Sequence, residues 1–414
     1  MLFMGHGTST VSLATRVQLE VPNIAIFCPT FLKPEMWHVY RQVVGPKRVK
    51  IVAFAFKREN SDRFPYSLVH LLGRSKLRWA RRIWQKQILR SPQLALPSEC
   101  SALSKSIRAN NISLLHIYFG NNGVFWLPLF RKLTIPIIVS FHGADVAVGF
   151  NTPSGQRRLK QVFAAADLLL ARSHSIRQSM IAAGCSPDKI RIQRTGVPGS
   201  DFEYRPRNFP DEGRFQFLQA CRLIEKKGVE VTLGAYAKFL ERWPNSRLVI
   251  AGDGPLRKRL EQFAQQLGIG DKVAFTGFLT KEQLLEAYYE SHVFIHPSET
   301  TSAGDNEGIP NSLLEAMATG LCCIATRHGG IPEVIEHLQN GVLVEERDFE
   351  GVHYWMNRLA DEWSLAAELG RHAAETIGRE FNSKTQVEKL ESVYLEVIGH
   401  TFSSRGLPRN DYRS

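Results

Sequence analysis

Short apolar runs at residues 24–28, 49–56, 114–119, 135–141 and 168–171 are separated by polar or helix-periodic stretches. Runs that are apolar throughout suit strands covered on both faces, so the pattern predicts a parallel sheet with crossover helices. Further along, the rhythm sharpens. Strands are expected at 215–221, 247–251, 272–275, 292–295, 321–325 and 341–344, with helices at 228–241, 256–267, 281–290, 312–319 and 350–357. Six strand–helix steps make a doubly wound half whose ligand belongs outside the carboxyl ends of the strands. Between the two rhythms, GVPGSDFEYRPRNFPDEG mixes Pro, Gly and charge without a period and reads as a linker. The expected layout is a poorly ordered leader at 1–20, a first domain at 21–196, the linker at 197–213 and a second domain at 214–383. A closing helix at 384–414, with a tail, can cross back to the first domain.

A chain of 414 residues is too long for one hydrophobic core, which agrees with two domains. Charge is divided unevenly: residues 1–210 carry 30 Lys and Arg against 10 Asp and Glu, and the remainder carries 22 against 30. The first half therefore suits an anionic partner. Nucleic acid is not expected, because no zinc-finger, RRM or basic-zipper pattern occurs. A membrane surface or phosphorylated lipid fits better. The six cysteines have no C-x-x-C or metal-ligand spacing and read as reduced core residues. No signal peptide is expected, and the apolar stretch 113–141 is broken by Arg131, Lys132 and two prolines, unlike a membrane span.

The candidate chemistry lies at the carboxyl ends of the second set of strands. In Glu307-Gly308-Ile309-Pro310-Asn311-Ser312-Leu313-Leu314-Glu315, Pro310 suits the first helical position and Gly320 the far end. Ile309 then has no oxygen to cap the amides of Asn311, Ser312 and Leu313, so an anion can serve as the cap. Glu307 and Glu315 flank the same mouth, where ionised carboxylates accept hydrogen bonds from sugar hydroxyls; as plain surface acids they would do nothing there. Arg222 and Lys227, in CRLIEKKG after a strand, are cations at the same sheet edge, suited to a departing diphosphate rather than merely solvated.

Gly252 and Gly254 form a strand-to-helix turn that lines a nucleotide pocket or is purely structural. Arg257 stands where a dinucleotide fingerprint needs its third glycine. In the first half, His142 ends a strand facing the cleft and either contacts the transferred sugar, with a proton-shuttling capacity, or is a satisfied buried histidine. The segment from Gly73 to Arg90, GRSKLRWARRIWQKQILR, holds seven Lys and Arg and no acid. It suits either an anionic lipid surface or a solvated helix packed by its Trp and Leu residues.

These motifs, ACRLIEKKG, LVIAGDGPL and HPSETTSAGDNEGIPNSLLEAMATGLCCIAT with its E-x7-E pair Glu307 and Glu315, resemble the retaining GT-B glycosyltransferases of family 4. The resemblance extends from about residue 22 to 381. The AGDNEGIP loop and HGGIPEVIE are similar to the exopolysaccharide branch that makes colanic acid and amylovoran. The resemblance implies an α/β fold of two Rossmann-like domains facing a deep cleft. It also implies sugar transfer from a nucleoside-diphosphate sugar with retained anomeric configuration, by a front-face route. By the same resemblance Arg222 and Lys227 bind the diphosphate, Glu307 the donor sugar, Glu315 the ribose, and His142 the sugar beside the reacting centre. No cofactor or obligatory metal is implied, and no D-x-D motif is present at the site. The chain departs from the family in reading CPTFLKPE at Cys28 to Glu35 in place of a Gly-rich loop, so no donor contact is assigned there. The implied acceptor is a lipid-linked saccharide at the inner face of the cytoplasmic membrane. The rivals are a nucleotide-sugar epimerase or hydrolase of the same fold and an inactive membrane-binding scaffold.

Overall fold

The computed structural model describes residues 21–33, 36–73, 92–143, 150, 152–302 and 307–404. The expected leader 1–20, nearly all of the Gly73 to Arg90 segment, Pro34, Glu35 and the tail 405–414 lie outside the described residues.

The first half contributes β1 Asn23–Phe27, β2 Thr30–Phe31, β3 Lys50–Ala55, β4 Lys57–Arg58, β5 Val69–Leu71, β6 Ile112–Tyr118, β7 Ile137–Phe141, β8 Leu168–Ala171 and β9 Ile190–Ile192. Seven of these form a parallel sheet in the order β5-β3-β1-β6-β7-β8-β9, and β2 pairs with β4 separately. The second half contributes β10 Gln216–Ala220, β11 Arg247–Ala251, β12 Val273–Gly277, β13 Val293–His296, β14 Cys322–Thr326 and β15 Val342–Val344. They are ordered β12-β11-β10-β13-β14-β15 and are all parallel. The α/β class and the two Rossmann-like halves are as the resemblance implies.

Each sheet is covered on both faces, which explains the unbroken apolar runs. In β14, Cys322 and Ile324 enter one core of the second domain while Cys323 and Ala325 enter the other. All six cysteines are free, and five are buried.

Several elements, β2 and β4 among them, lie outside those the pattern predicts. Strands β5 and β9, reading VHL and IRI, are short and lie at the two sheet edges, where partial exposure tolerates polar residues. A helix at Trp363–Glu380 packs Ala366 and Leu369 into one core and Ala373 and Ile377 into the other. The last helix, Ser383–Ser404, crosses back and buries Leu390, Tyr394 and Ile398 against Ile24 and Ile26 of β1. The two chain crossings between domains are bonded to each other: Val197 N–H donates to Phe381 O at 2.8 Å and Ser383 N–H to Val197 O at 3.0 Å.

One local expectation is corrected. Pro310 is not the first helical residue; the helix spans Asn311–Ala318 and Pro310 is its N-cap, extended at φ −66° and ψ 131°. Leu314 N–H closes the first helical bond on Pro310 O at 3.2 Å, which puts Pro310 half outside the helix. The amides that start the helix are still those of Asn311, Ser312 and Leu313, and no side chain caps them.

Candidate active site at the domain cleft

In the second sheet the strand order reverses between β10 and β13, the crevice where open α/β sheets take their ligands. The chain leaving β10 carries Arg222 and Lys227, and the chain leaving β13 carries Glu307. Lys227 Nζ and Glu307 meet there in a hydrogen-bonded ion pair, with side chains only 11% and 15% exposed. Burial pushes the Glu307 carboxyl up, but the ammoniums of Lys227 and Lys226, the Lys227 hydrogen bond and His296 outweigh it and hold the pKa at about 2. Glu307 is therefore an ionised hydrogen-bond acceptor at neutral pH and a poor proton acceptor.

Arg222 is exposed on the same loop. The turn at Gly252 and Gly254 shapes that loop. Leu223 N–H donates to Asp253 O at 2.9 Å, and Leu256 N–H to Leu223 O at 3.2 Å. Gly252 has φ +136°, and a side chain there would overlap Cys221 O, as one at Gly254 would overlap Leu223 O. These glycines thus let one strand–helix turn seat the Arg222 loop by backbone contact.

The start of the Asn311–Ala318 helix is fastened to the first domain. Arg172, directly after β8, donates to Thr195 Oγ1 at 2.7 Å, Asn311 Oδ1 at 2.9 Å and Ile309 O at 3.4 Å. The other end of the Asn311 amide lies 3.2 Å from His38 Nδ1. The His38 ring is 5.5 Å from that of His142, whose Nε2 is 3.0 Å from Ser140 Oγ. Burial, with Arg172, His38 and His116 nearby, lowers the His142 pKa well below the ordinary histidine value, so the ring is neutral. Gly308 packs so closely that a Cβ there would stand 3.3 Å from Ile176 Cδ1 and 3.4 Å from His142 O.

Glu315 faces a different group. It accepts from Tyr288 OH at 3.2 Å and lies 3.9 Å from Arg41, a guanidinium of the first domain. Burial raises its pKa against the pull of Arg41 and Tyr288. The structure thus brings Lys227 to Glu307, and His142 to Gly308, while Glu315 sits with Arg41 and Tyr288. Sequence reasoning missed His38, Arg41 and Arg172, because the pairing of distant segments across a cleft leaves no spacing signal. Only the position of Arg172, at the carboxyl end of an apolar run, hinted at a site.

Known proteins resemble this chain in sequence and in fold. The family model described as Glycosyl transferases group 1 matches residues 200–376, and that of Glycosyltransferase Family 4 matches residues 47–199. WcaL of Escherichia coli (strain K12), named as a colanic acid biosynthesis glycosyltransferase, is 32% identical over 73% of this chain and 74% of its own. The amylovoran biosynthesis glycosyltransferase AmsK of Erwinia amylovora is 29% identical over the same shares, 73% and 74%. The solved structure of Anabaena Alr3699/HepE in complex with UDP and glucose superposes with a TM-score of 0.73 at 16% identity, covering 91% of this chain and 100% of that one.

Proposed function

Because the chain belongs to the retaining, nucleotide-sugar-dependent glycosyltransferases of family 4, we propose that it passes a hexose from a nucleoside-diphosphate sugar to a lipid-linked saccharide in exopolysaccharide synthesis. The work is done at the inner face of the cytoplasmic membrane, with no obligatory metal. The names of WcaL and AmsK support the pathway class, and the cationic excess of residues 1–210 supports an anionic acceptor. Among the described residues no helix is long and apolar enough to cross a membrane.

The observation that carries the reading is the Lys227–Glu307 pair in the switch-point crevice, followed at once by the uncapped helix start at Asn311. Arg222, Lys227 and the amides of Asn311, Ser312 and Leu313 hold the donor's diphosphate. Its negative charge grows as the bond to the anomeric carbon lengthens, so these fixed donors stabilise the transition state more than the bound donor. Glu307 accepts from sugar hydroxyls, Glu315 from the ribose, and neutral His142 contacts the sugar beside the reacting centre. A carboxyl held near a pKa of 2 is too weak a base to take the acceptor's proton. That supports the front-face route, in which the departing phosphate oxygen takes the proton and the anomeric configuration is retained.

The test is to incubate the protein with UDP-glucose or GDP-mannose, with and without detergent-extracted lipid-linked saccharide. The expected result is nucleoside diphosphate release that depends on the acceptor, and an α-linked product by NMR. Equal consumption of donor without acceptor would replace this reading with the epimerase or hydrolase one.

A further inference from the structure

The HGG turn at residues 328–330 grips Glu307 from behind. Its His328 is buried, and its Nε2 lies 2.9 Å from the backbone N–H of Glu307. An amide N–H only donates, so Nε2 must carry the lone pair and the ring proton must sit on Nδ1. Nδ1 then donates that proton to Glu346 Oε1, the nitrogen lying 2.7 Å from the oxygen. Glu346 is itself held by Thr300, whose backbone N–H donates to Oε2 at 2.7 Å and whose hydroxyl lies 3.2 Å from Oε1. Thr300 belongs to the loop that leads from β13 toward Glu307, so both ends of this loop are tied to one imidazole–carboxylate pair.

On the carbonyl side of Glu307 the same turn closes in. Gly329, at φ +54°, comes so near that any side chain would overlap Glu307 O, and Gly330 N–H donates to that oxygen at 3.4 Å. The Glu307 peptide is thereby gripped at its N–H and its C=O by three consecutive residues.

We propose that His328, anchored by Glu346, is a positioning residue that aims the Glu307 carboxylate at the donor sugar by fixing the Glu307 backbone. The inference rests on Glu307 being the sugar contact. A histidine that hydrogen-bonds a carboxylate through one nitrogen has its tautomer and orientation set, leaving the other nitrogen a defined acceptor. His328 and Glu346 bond neither Arg222 nor the helix amides and reach Lys227 only through the Glu307 carboxylate, so their loss must lower turnover far more than affinity for a nucleoside diphosphate.

The experiment compares His328→Leu, His328→Gln and Glu307→Gln. Turnover is read as UDP or GDP release from UDP-glucose or GDP-mannose with the lipid-linked saccharide extract, and affinity is read by calorimetry with UDP and GDP. His328→Leu keeps bulk but leaves the Glu307 N–H without its acceptor. It is expected to lose turnover by about tenfold or more, the equivalent of one unpaired buried donor, with affinity changed by less than about threefold. Gln supplies an amide oxygen for the Glu307 N–H and an amide N–H for Glu346, so His328→Gln is expected to regain most of the loss.

Wild-type turnover in His328→Leu, or equal losses in the Leu and Gln variants, overturns the relay. A parallel fall in affinity does so too, because it marks a collapsed loop. Should His328→Leu fail to fold, Glu346→Leu takes its place: it must lower turnover with affinity intact, and wild-type turnover overturns the proposal. Glu307→Gln separates the premise from the inference. If it keeps full turnover, the sugar-contact role of Glu307 fails and the relay with it; if it is inactive while His328→Leu is not, only the relay fails.

Discussion

Lys227 and Glu307 are both largely withdrawn from water, and each makes the other's charge tolerable. Lys227→Ala is expected to cut turnover by roughly 100- to 1,000-fold, the usual cost of removing one transition-state donor. Circular dichroism should show the fold retained, and turnover near wild type would remove the residue from the machinery. The Glu307 carboxyl titrates near 2 in the folded chain and close to an ordinary glutamate's value when unfolded. The sign follows from the depressed value. The unfolded state binds the proton first, so the stability that the pair contributes is complete above about pH 4.5 and drains away as pH falls toward about 2. Its full size is on the order of 3 kcal/mol. Urea midpoints of wild type and Glu307→Gln should therefore converge between pH 6 and pH 3, as carboxylate linkage requires; a constant gap would contradict the depressed value.

Two elements owe their placement to contacts with the opposite domain. The start of the Asn311–Ala318 helix is clasped by Arg172 and His38, so Arg172→Ala should loosen the cleft without melting either core. Small-angle scattering is expected to show a larger radius of gyration with an unchanged urea midpoint, and an unchanged radius would mean that the clasp does not hold the domains closed. The final helix, Ser383–Ser404, brings Tyr394 OH to 2.7 Å from His116 Nδ1, deep under β6. Burial drops the His116 pKa to about 3, so the ring is neutral and depends on that hydroxyl for a partner. Tyr394→Phe keeps the packing but leaves a buried imidazole nitrogen unpaired, at a cost of about 1–3 kcal/mol. Thermal unfolding should register it as a lower midpoint, whereas an unchanged midpoint would show that the nitrogen is satisfied another way.

The chain as a whole is electrically lopsided: a cationic first half faces a mildly acidic second half that concentrates cations at its cleft. A domain of that charge should bind vesicles containing anionic lipid and release them as salt rises, since surface attraction is screened within about 8–10 Å at physiological ionic strength. Co-sedimentation at 50 mM and 500 mM salt measures this, and salt-independent binding would point to insertion of apolar groups instead. Among the described residues the two domains meet through polar contacts that include Arg172–Asn311, Arg41–Glu315 and Ser175 N–H to Glu333 Oε1 at 2.9 Å. Interfaces of this polar kind permit domain motion, which suits an enzyme that must admit a nucleotide sugar and release its product.

Periodicity alone determined that this chain makes two α/β halves, because a strand buried on both faces must be apolar at consecutive positions. It also marked the loops after β10 and β13, where Arg222, Lys227, Glu307 and the Asn311 helix start all lie. Polar edge strands such as β5 and β9 left no trace, since a strand with one side open needs no continuous apolar run. The Trp363–Glu380 helix escaped because it divides its small apolar residues between two cores. Only folding decided which side chains meet. Lys227 and Glu307 are 80 residues apart, His328 reaches back to the Glu307 amide, and Arg172 and His38 arrive from the other domain. Contacts of this kind follow from strand order and from the angle between domains, and a linear pattern that records local preference carries neither.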